Sequence, residues 1–193
     1  MGNIIDNIRR EIISKCESRN NRERYNFDYW EEHVKFVVKY ALELANLYGA
    51  DKEVVELGAL LHDVALVEPV GSREDHHING AELAIEILNR HGYTHKGKIE
   101  RIKNCVLHHR SSHFSENAEE ICVADADILA HFANIPMIFQ CVYGRDKKSL
   151  NVGREDIVAY LKKDYSELSK HTQKVFKTQY ETIMLMLFHK KVF

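Results

Sequence analysis

The chain has 193 residues, 45% of them hydrophobic, and a formal net charge of -2 from 27 Lys and Arg against 29 Asp and Glu. That length can bury a substantial core in one domain, and the mixed-sign charge offers neither a basic patch for a nucleic-acid polymer nor a polybasic anchor for a membrane. With only two prolines and nine glycines, and apolar residues recurring at three- and four-residue intervals, the pattern predicts an all-α protein.

In chain order, residues 3–19 read as a charged amphipathic helix broken by Asn20-Asn21-Arg22. Asp28 is the predicted N-cap of a second helix that ends at Tyr48, where Gly49 supplies the stop. His33, Val37, Tyr40, Ala41, Leu44 and Tyr48 share one face of it, so His33 is predicted to face the core. A third helix starts near Asp51 and carries Val54, Leu57, Gly58, Leu61, His62 and Ala65 along one stripe, which places His62-Asp63 in its last turn. Residues 68–75 read as a loop, with Pro69 and Gly71 as breakers and Arg73 as its cation. Helices at 77–90 and 97–109 follow, then a polar connection over 111–117. The stretch Ile121 to Ala130 is apolar nearly all round except for Asp125 and Asp127. Beyond Pro136 three more helical stretches are expected, broken near Gly144 and Gly153 and again around His171.

Burying two unpaired carboxylates costs on the order of several kcal/mol each, so a cation or hydrogen-bond donors must meet Asp125 and Asp127. Two residues apart, they cannot share a helix face, so one is expected to reach a metal and the other to find donors elsewhere. His33 alone fits a hydrogen-bonded core histidine. The His62-Asp63 doublet is harder to explain as packing, because aspartate is rarely buried without a partner. Together, His33, His62, Asp63 and one downstream aspartate offer two imidazoles and two carboxylates, a set suited to a divalent metal that activates water.

The chain has 12 histidines, and they cluster at Asp75-His76-His77 and at His108-His109 with His113 nearby. Both clusters fall at predicted helix ends, where they can converge on one centre or sit as surface pairs. His91, His95, His113, His171 and His189 read as solvated, and His131, one turn after Asp127, fits helix packing or a supporting contact to that aspartate. Cys16, Cys105, Cys122 and Cys141 lack a CxxC spacing and read as small buried thiols of a reducing compartment. The start, Met1 to Asp6, lacks the features of a secretory signal, Asp6 stands where a myristoylation signal wants Ser or Thr, and no stretch approaches the roughly 20 apolar residues of a membrane span. A cytoplasmic location is expected.

His33, Leu60-Leu61-His62-Asp63-Val64 and Ala126-Asp127-Ile128-Leu129 together resemble the HD-domain superfamily of metal-dependent phosphohydrolases, over about residues 28–132. The resemblance implies a single-domain helical bundle spanning 1–193, with a C-terminal helical extension over about 133–193. It implies His33, His62, Asp63 and Asp127 as metal ligands, Asp127 rather than Asp125 because the family's aspartate sits in Ala-Asp-x-Leu. A subset of the superfamily adds two histidines and a second metal. His76 before Gly80-Ala81 and His109 after Val106 stand in the corresponding places, with His77 and His108 as alternates. Where HD-GYP phosphodiesterases carry Gly-Lys and Gly-Tyr-Pro, this chain has Ala65-Leu66 and Ser111-Ser112-His113, which argues against cyclic dinucleotides.

The implied reaction is attack of metal-activated water on the phosphorus of a nucleotide or other small phosphate ester. The implied cofactor is one or two divalent metals: Mn, Fe, Co, Ni, Zn or Mg. Asp63 would ligate or bridge the metals, and Arg73 and Arg110 would neutralise phosphoryl oxygens unless they are solvated surface cations. The alternatives are an HD-related di-iron oxygenase and a non-catalytic regulatory module. The run Ile183 to Phe188 fits a core helix or a homodimer interface.

Overall fold

The computed structural model describes residues 4–23 and 27–188, and among them there is no strand. The predicted all-α class is what the structure shows. Met1-Gly2 and His189 lie outside the described residues. The α-helices are α1 (Ile4–Glu23), α2 (Lys35–Tyr48), α3 (Lys52–Leu61), α4 (Val64–Val67), α5 (His76–Arg90), α6 (Lys96–His108), α7 (Ala118–Ala133), α8 (Ile135–Phe139), α9 (Leu150–Glu167) and α10 (Lys170–Phe188). A π-helical turn, Trp30–Val34, leads into α2, and another, Gln140–Arg145, continues α8. No single helix among the described residues is long and apolar enough to cross a membrane.

Local chemistry sets most of the boundaries. The Asp28 carboxylate accepts hydrogen bonds from the backbone N–H groups of Trp30 and Glu31, and Gly49 ends α2 in the left-handed region at φ +67°. Asp51 caps α3 by accepting from Glu53 and Val54, and Asn117 caps α7 by accepting from Glu120. Three predicted breaks move. α1 runs through Asn20 and Asn21 to Glu23, and Asn20 uses its side-chain oxygen to accept from the Tyr29 N–H instead. Gly153 lies inside α9, where a Cβ would stand 2.3 Å from the Tyr143 ring, so this glycine serves a close approach and not a stop. The chain turns before α10 at Leu168-Ser169, ahead of His171.

Two apolar cores meet along α7. Cys122, Val123 and Ala126 belong to the larger core with Val37, Leu57, Leu61 and Ile102, whereas Ile128 and Phe132 pack with Ile157 and Leu161. A helix buried on two sides has no solvent face, which explains why this stretch is apolar nearly all round. Asp125 is fully buried there, and its carboxylate accepts from the Ser169 N–H at 2.8 Å and the Ser169 hydroxyl at 2.5 Å.

The start of α3 is held by an ion cluster. Lys98 reaches Asp51 at 3.1 Å and also bonds Glu53, while Arg101 bonds Glu119. Burial alone would raise the Asp51 and Glu119 carboxyls, but these cations and backbone N–H groups outweigh it; at Glu53 the Lys98 hydrogen bond dominates. All three are held below their ordinary range. Carboxyls depressed by folding stabilise above their unfolded pKa, about 4, and that contribution is lost as pH falls through the folded value. Thermal melts are therefore expected to lose stability from about pH 4 downward. Lys98→Met should show a shallower acid loss, and a parallel pH profile in the variant would refute the assignment.

Candidate metal centre

Five segments converge on one buried point. His33 comes from the turn ahead of α2, His62 and Asp63 from the junction of α3 and α4, His76 from the first residue of α5, His109 from the end of α6 and Asp127 from α7. At Asp63 the backbone leaves helical geometry, with φ -104° and ψ 20°. The doublet thus falls at a bend between helices. The site residues named from the sequence are brought together as two groups: His33, His62 and Asp127, and Asp63, His76 and His109, with one ligand atom from each member within 4.8 Å of the others.

Asp63 faces both groups. Its Oδ2 lies 3.6 Å from His33 Nε2 and 3.4 Å from His62 Nε2. Its Oδ1 lies 3.3 Å from His76 Nε2 and 3.6 Å from His109 Nε2. Asp127 Oδ1 stands 3.2 Å from His33 Nε2 and 3.8 Å from His62 Nε2.

The donor chemistry fits divalent metal. The Nδ1 atoms of His62, His76 and His109 lie 2.7, 2.7 and 2.6 Å from the carbonyl oxygens of Ala59, Arg73 and Val106. A carbonyl only accepts, so each Nδ1 carries the proton, and in a neutral ring Nε2 keeps its lone pair. Of these, the Nε2 atoms of His76 and His109 approach each other to 3.1 Å, and His62 Nε2 lies 3.2 Å from His33 Nε2. Facing lone pairs repel unless a proton or a cation lies between them. Asp127 Oδ1 is buried with no hydrogen-bond partner, an orphaned acceptor of the kind a metal satisfies.

The electrostatics agree in direction. Burial would raise the carboxyls of Asp63 and Asp127, but the surrounding imidazoles overcome it, His62 foremost at Asp63 and His131 foremost at Asp127, and both stay well below the usual carboxylate range. Burial disfavours a charged His33, yet the facing carboxylates of Asp127 and Asp63 carry its pKa up to about 9. Protons and metal therefore compete for the same nitrogens.

The alternates separate cleanly. His77 belongs to neither group and lines a neighbouring groove, and His108 bonds Glu120 at 2.8 Å. Asp125 takes Ser169 as its partner, while Asp127 enters the centre. Arg73 and Arg110 both line the slot over the site, and Arg110 also donates to the Glu74 carbonyl at 3.0 Å. His91, read as solvated, is half-buried and lies 2.7 Å from Glu11. His131 does more than pack, since its ring stacks on His33 while its Nδ1 meets Asp164 at 2.9 Å.

Sequence reasoning missed Tyr29, Tyr160, Lys163 and Asp164, all of which line the slot. Tyr29 donates its hydroxyl to Asp63 Oδ2, and the Arg19 guanidinium sits 3.9 Å over its ring. The available signal was spacing: Tyr29 precedes His33 by one turn, and Tyr160 precedes Asp164 by one turn of α9. Tyr29→Phe keeps the ring and removes only the donor, so metal affinity should fall roughly 10- to 100-fold with the fold retained. A competition titration giving parental affinity would show that Tyr29 does not orient Asp63.

The profile of the HD domain matches residues 30–131. An uncharacterized protein of Clostridium beijerinckii is 30% identical over 112 residues, 58% of this chain and 69% of the relative. A tRNA (cytidine(56)-2'-O)-methyltransferase of Picrophilus torridus is 30% identical over 146 residues, 71% of this chain but only 40% of that protein's length. The crystal structure of a predicted HD superfamily hydrolase from an uncultured Thermotogales bacterium superposes with a TM-score of 0.57 at 19% identity, covering 93% of this chain and 92% of the other. At that identity the likeness is one of fold.

Proposed function

The chain belongs to the HD-domain family, and on that premise we propose that it is a metal-dependent phosphohydrolase acting on a nucleotide or other small phosphate ester. The observation that carries this reading is Asp63, whose two oxygens address two separate ligand groups. His33, His62 and Asp127 would hold one divalent metal, His76 and His109 a second, and Asp63 would bridge them. Mixed imidazole and carboxylate donors suit Mn, Fe, Co, Ni or Zn better than they suit Mg. Metals bound there supply Lewis acidity and a water made nucleophilic near neutral pH.

The chain's own residues do the rest. Arg73, Arg110 and Lys163 line the slot and can neutralise the phosphoryl oxygens, the two arginines through planar forks that match phosphate geometry. His33, His62 and His109 are almost wholly buried, so the reacting group is shielded from bulk water on that side.

The test is elemental mass spectrometry on protein purified without chelators, followed by phosphate release from a panel of nucleotides and phosphate esters. About two metals per chain and activity abolished by chelation are expected. No metal after reconstitution with manganese or iron would overturn the proposal.

A further inference from the structure

The chain turns by 77° at Asn134, and Ile135–Arg145 then runs as a strap with open space on both faces. Met137, Ile138, Cys141, Val142 and Arg145 line a chamber of about 260 Å³ that shares Tyr29, Arg73, His131 and Tyr160 with the slot over the ligand groups. The opposite face, Ile135, Pro136, Phe139, Gln140, Tyr143 and Gly144, lines a groove of about 540 Å³ whose far wall is Ile183, Met186 and Leu187 of α10. The two sets alternate at helical spacing. A helix between two spaces lacks packing partners on both sides, whereas protein interiors ordinarily leave few voids larger than a water molecule.

Both ends of the strap have the geometry of pivots. At the first, Asn134 leaves helical geometry with φ -128° and ψ 59°, and its side-chain amide donates to the Glu32 carbonyl at 2.9 Å and the Glu32 carboxylate at 2.6 Å. At the second, Lys147 at φ +53° is, among the described residues, the one non-glycine residue in the left-handed region. Between them Gln140–Arg145 is π-helical, a rare geometry that recurs at functional sites. The walls of the two spaces also differ. The chamber carries Arg19, Arg73, Asp146 and Asp156, which tolerate water, whereas the groove is apolar apart from Gln140 and the Tyr143 hydroxyl, and Met186 stands 79% exposed in it. Shifting the strap from the chamber toward α10 therefore wets a polar wall and dries an apolar one.

We propose that Ile135–Arg145 is a gate to the chamber, hinged at Asn134 and Lys147, that opens by swinging onto α10 and filling the groove. Closed, it walls the chamber beside His33 and His131; open, it admits water and solutes to the space next to the ligand groups. The gate controls access from a side other than the slot, and it holds whether or not the centre hydrolyses phosphate.

Cys141 reports the position of the gate, since Cys16, Cys105 and Cys122 are buried and Cys141 alone of the four is half-buried, lining the chamber. N-ethylmaleimide, which is uncharged, should add to one thiol per native chain at a rate set by the open fraction. Asn134→Ala releases the first hinge from Glu32 and should speed the addition roughly 5- to 10-fold. Met186→Asp puts a charge where the open strap must pack and should slow it at least about fivefold, whereas Met186→Leu should react at the parental rate. Mass spectrometry counts the adducts, so a second adduct on Asn134→Ala marks a loosened fold, and the exposed Met186 position then decides. A parental rate in Met186→Asp, or in singly labelled Asn134→Ala, would overturn the gate.

Discussion

Purified Asp63→Ala protein is expected to lose metal from both ligand groups and to release phosphate far more slowly than the parent, by more than the roughly 100-fold that loss of a supporting residue costs. The expectation follows from position. His33 and His62 approach one oxygen of Asp63 and His76 and His109 approach the other, so one side chain is common to both groups. Without it, four imidazoles share a single carboxylate, Asp127, which stands close to His33 and His62. A dication held mainly by neutral nitrogens in a buried site lacks the negative charge that offsets its desolvation. The fold should survive, because Asp63 belongs to neither apolar core. Circular dichroism should match the parent, and Asp125→Asn should keep its metal because Asp125 faces Ser169. Asp63→Ala protein that retains two metals per chain would remove the bridging role and with it the dinuclear mechanism.

Legibility in the sequence followed how unusual each residue was in its local setting. The His62-Asp63 doublet stood out because it is charged within an apolar run, and Asp125 and Asp127 did so for the same reason. Which aspartate enters the centre is a tertiary fact: Ser169, 44 residues away, supplies the donors that satisfy Asp125. His76 and His109 were readable as candidates because they end predicted helices. Their selection over His77 and His108 depends on where α5 starts and α6 stops. Tyr29 and Asp164 carried no signal beyond their spacing, since a tyrosine before a helix and an aspartate on a half-exposed helix are ordinary, and only packing brings them to Asp63 and His131. α9 and α10 carry no motif, yet α9 supplies Tyr160, Lys163 and Asp164 to the slot.

Gly58→Ala should destabilise the fold and weaken metal binding together, although it lies outside the ligand set. A methyl at Gly58 would stand 2.7 Å from Cys105 Cβ and 3.3 Å from Val123 Cγ2, both in the buried core. A Cβ is fixed to its backbone and cannot swing aside, so α3 must separate from α6 and α7 by some tenths of an ångström. Helix propensity pulls the other way, since alanine is better than glycine by about 0.5–1 kcal/mol in a helix interior. Overpacking a tight core costs about 1–3 kcal/mol, so the steric effect should win. The shift reaches the site because His62 follows Gly58 by one turn of α3 and His109 follows Cys105 by one turn of α6. Their rings meet edge to face with centroids 5.3 Å apart. The close approach allowed by Gly58 therefore sets the spacing between one ligand from each group. Gly97→Ala is the control, because its added methyl meets only the His95 ring at 3.7 Å and should cost nothing in stability or metal affinity. Denaturant unfolding and a metal competition titration on both variants decide the matter. If Gly58→Ala unfolds at the parental midpoint and binds metal with parental affinity, helix spacing does not set the geometry of this centre.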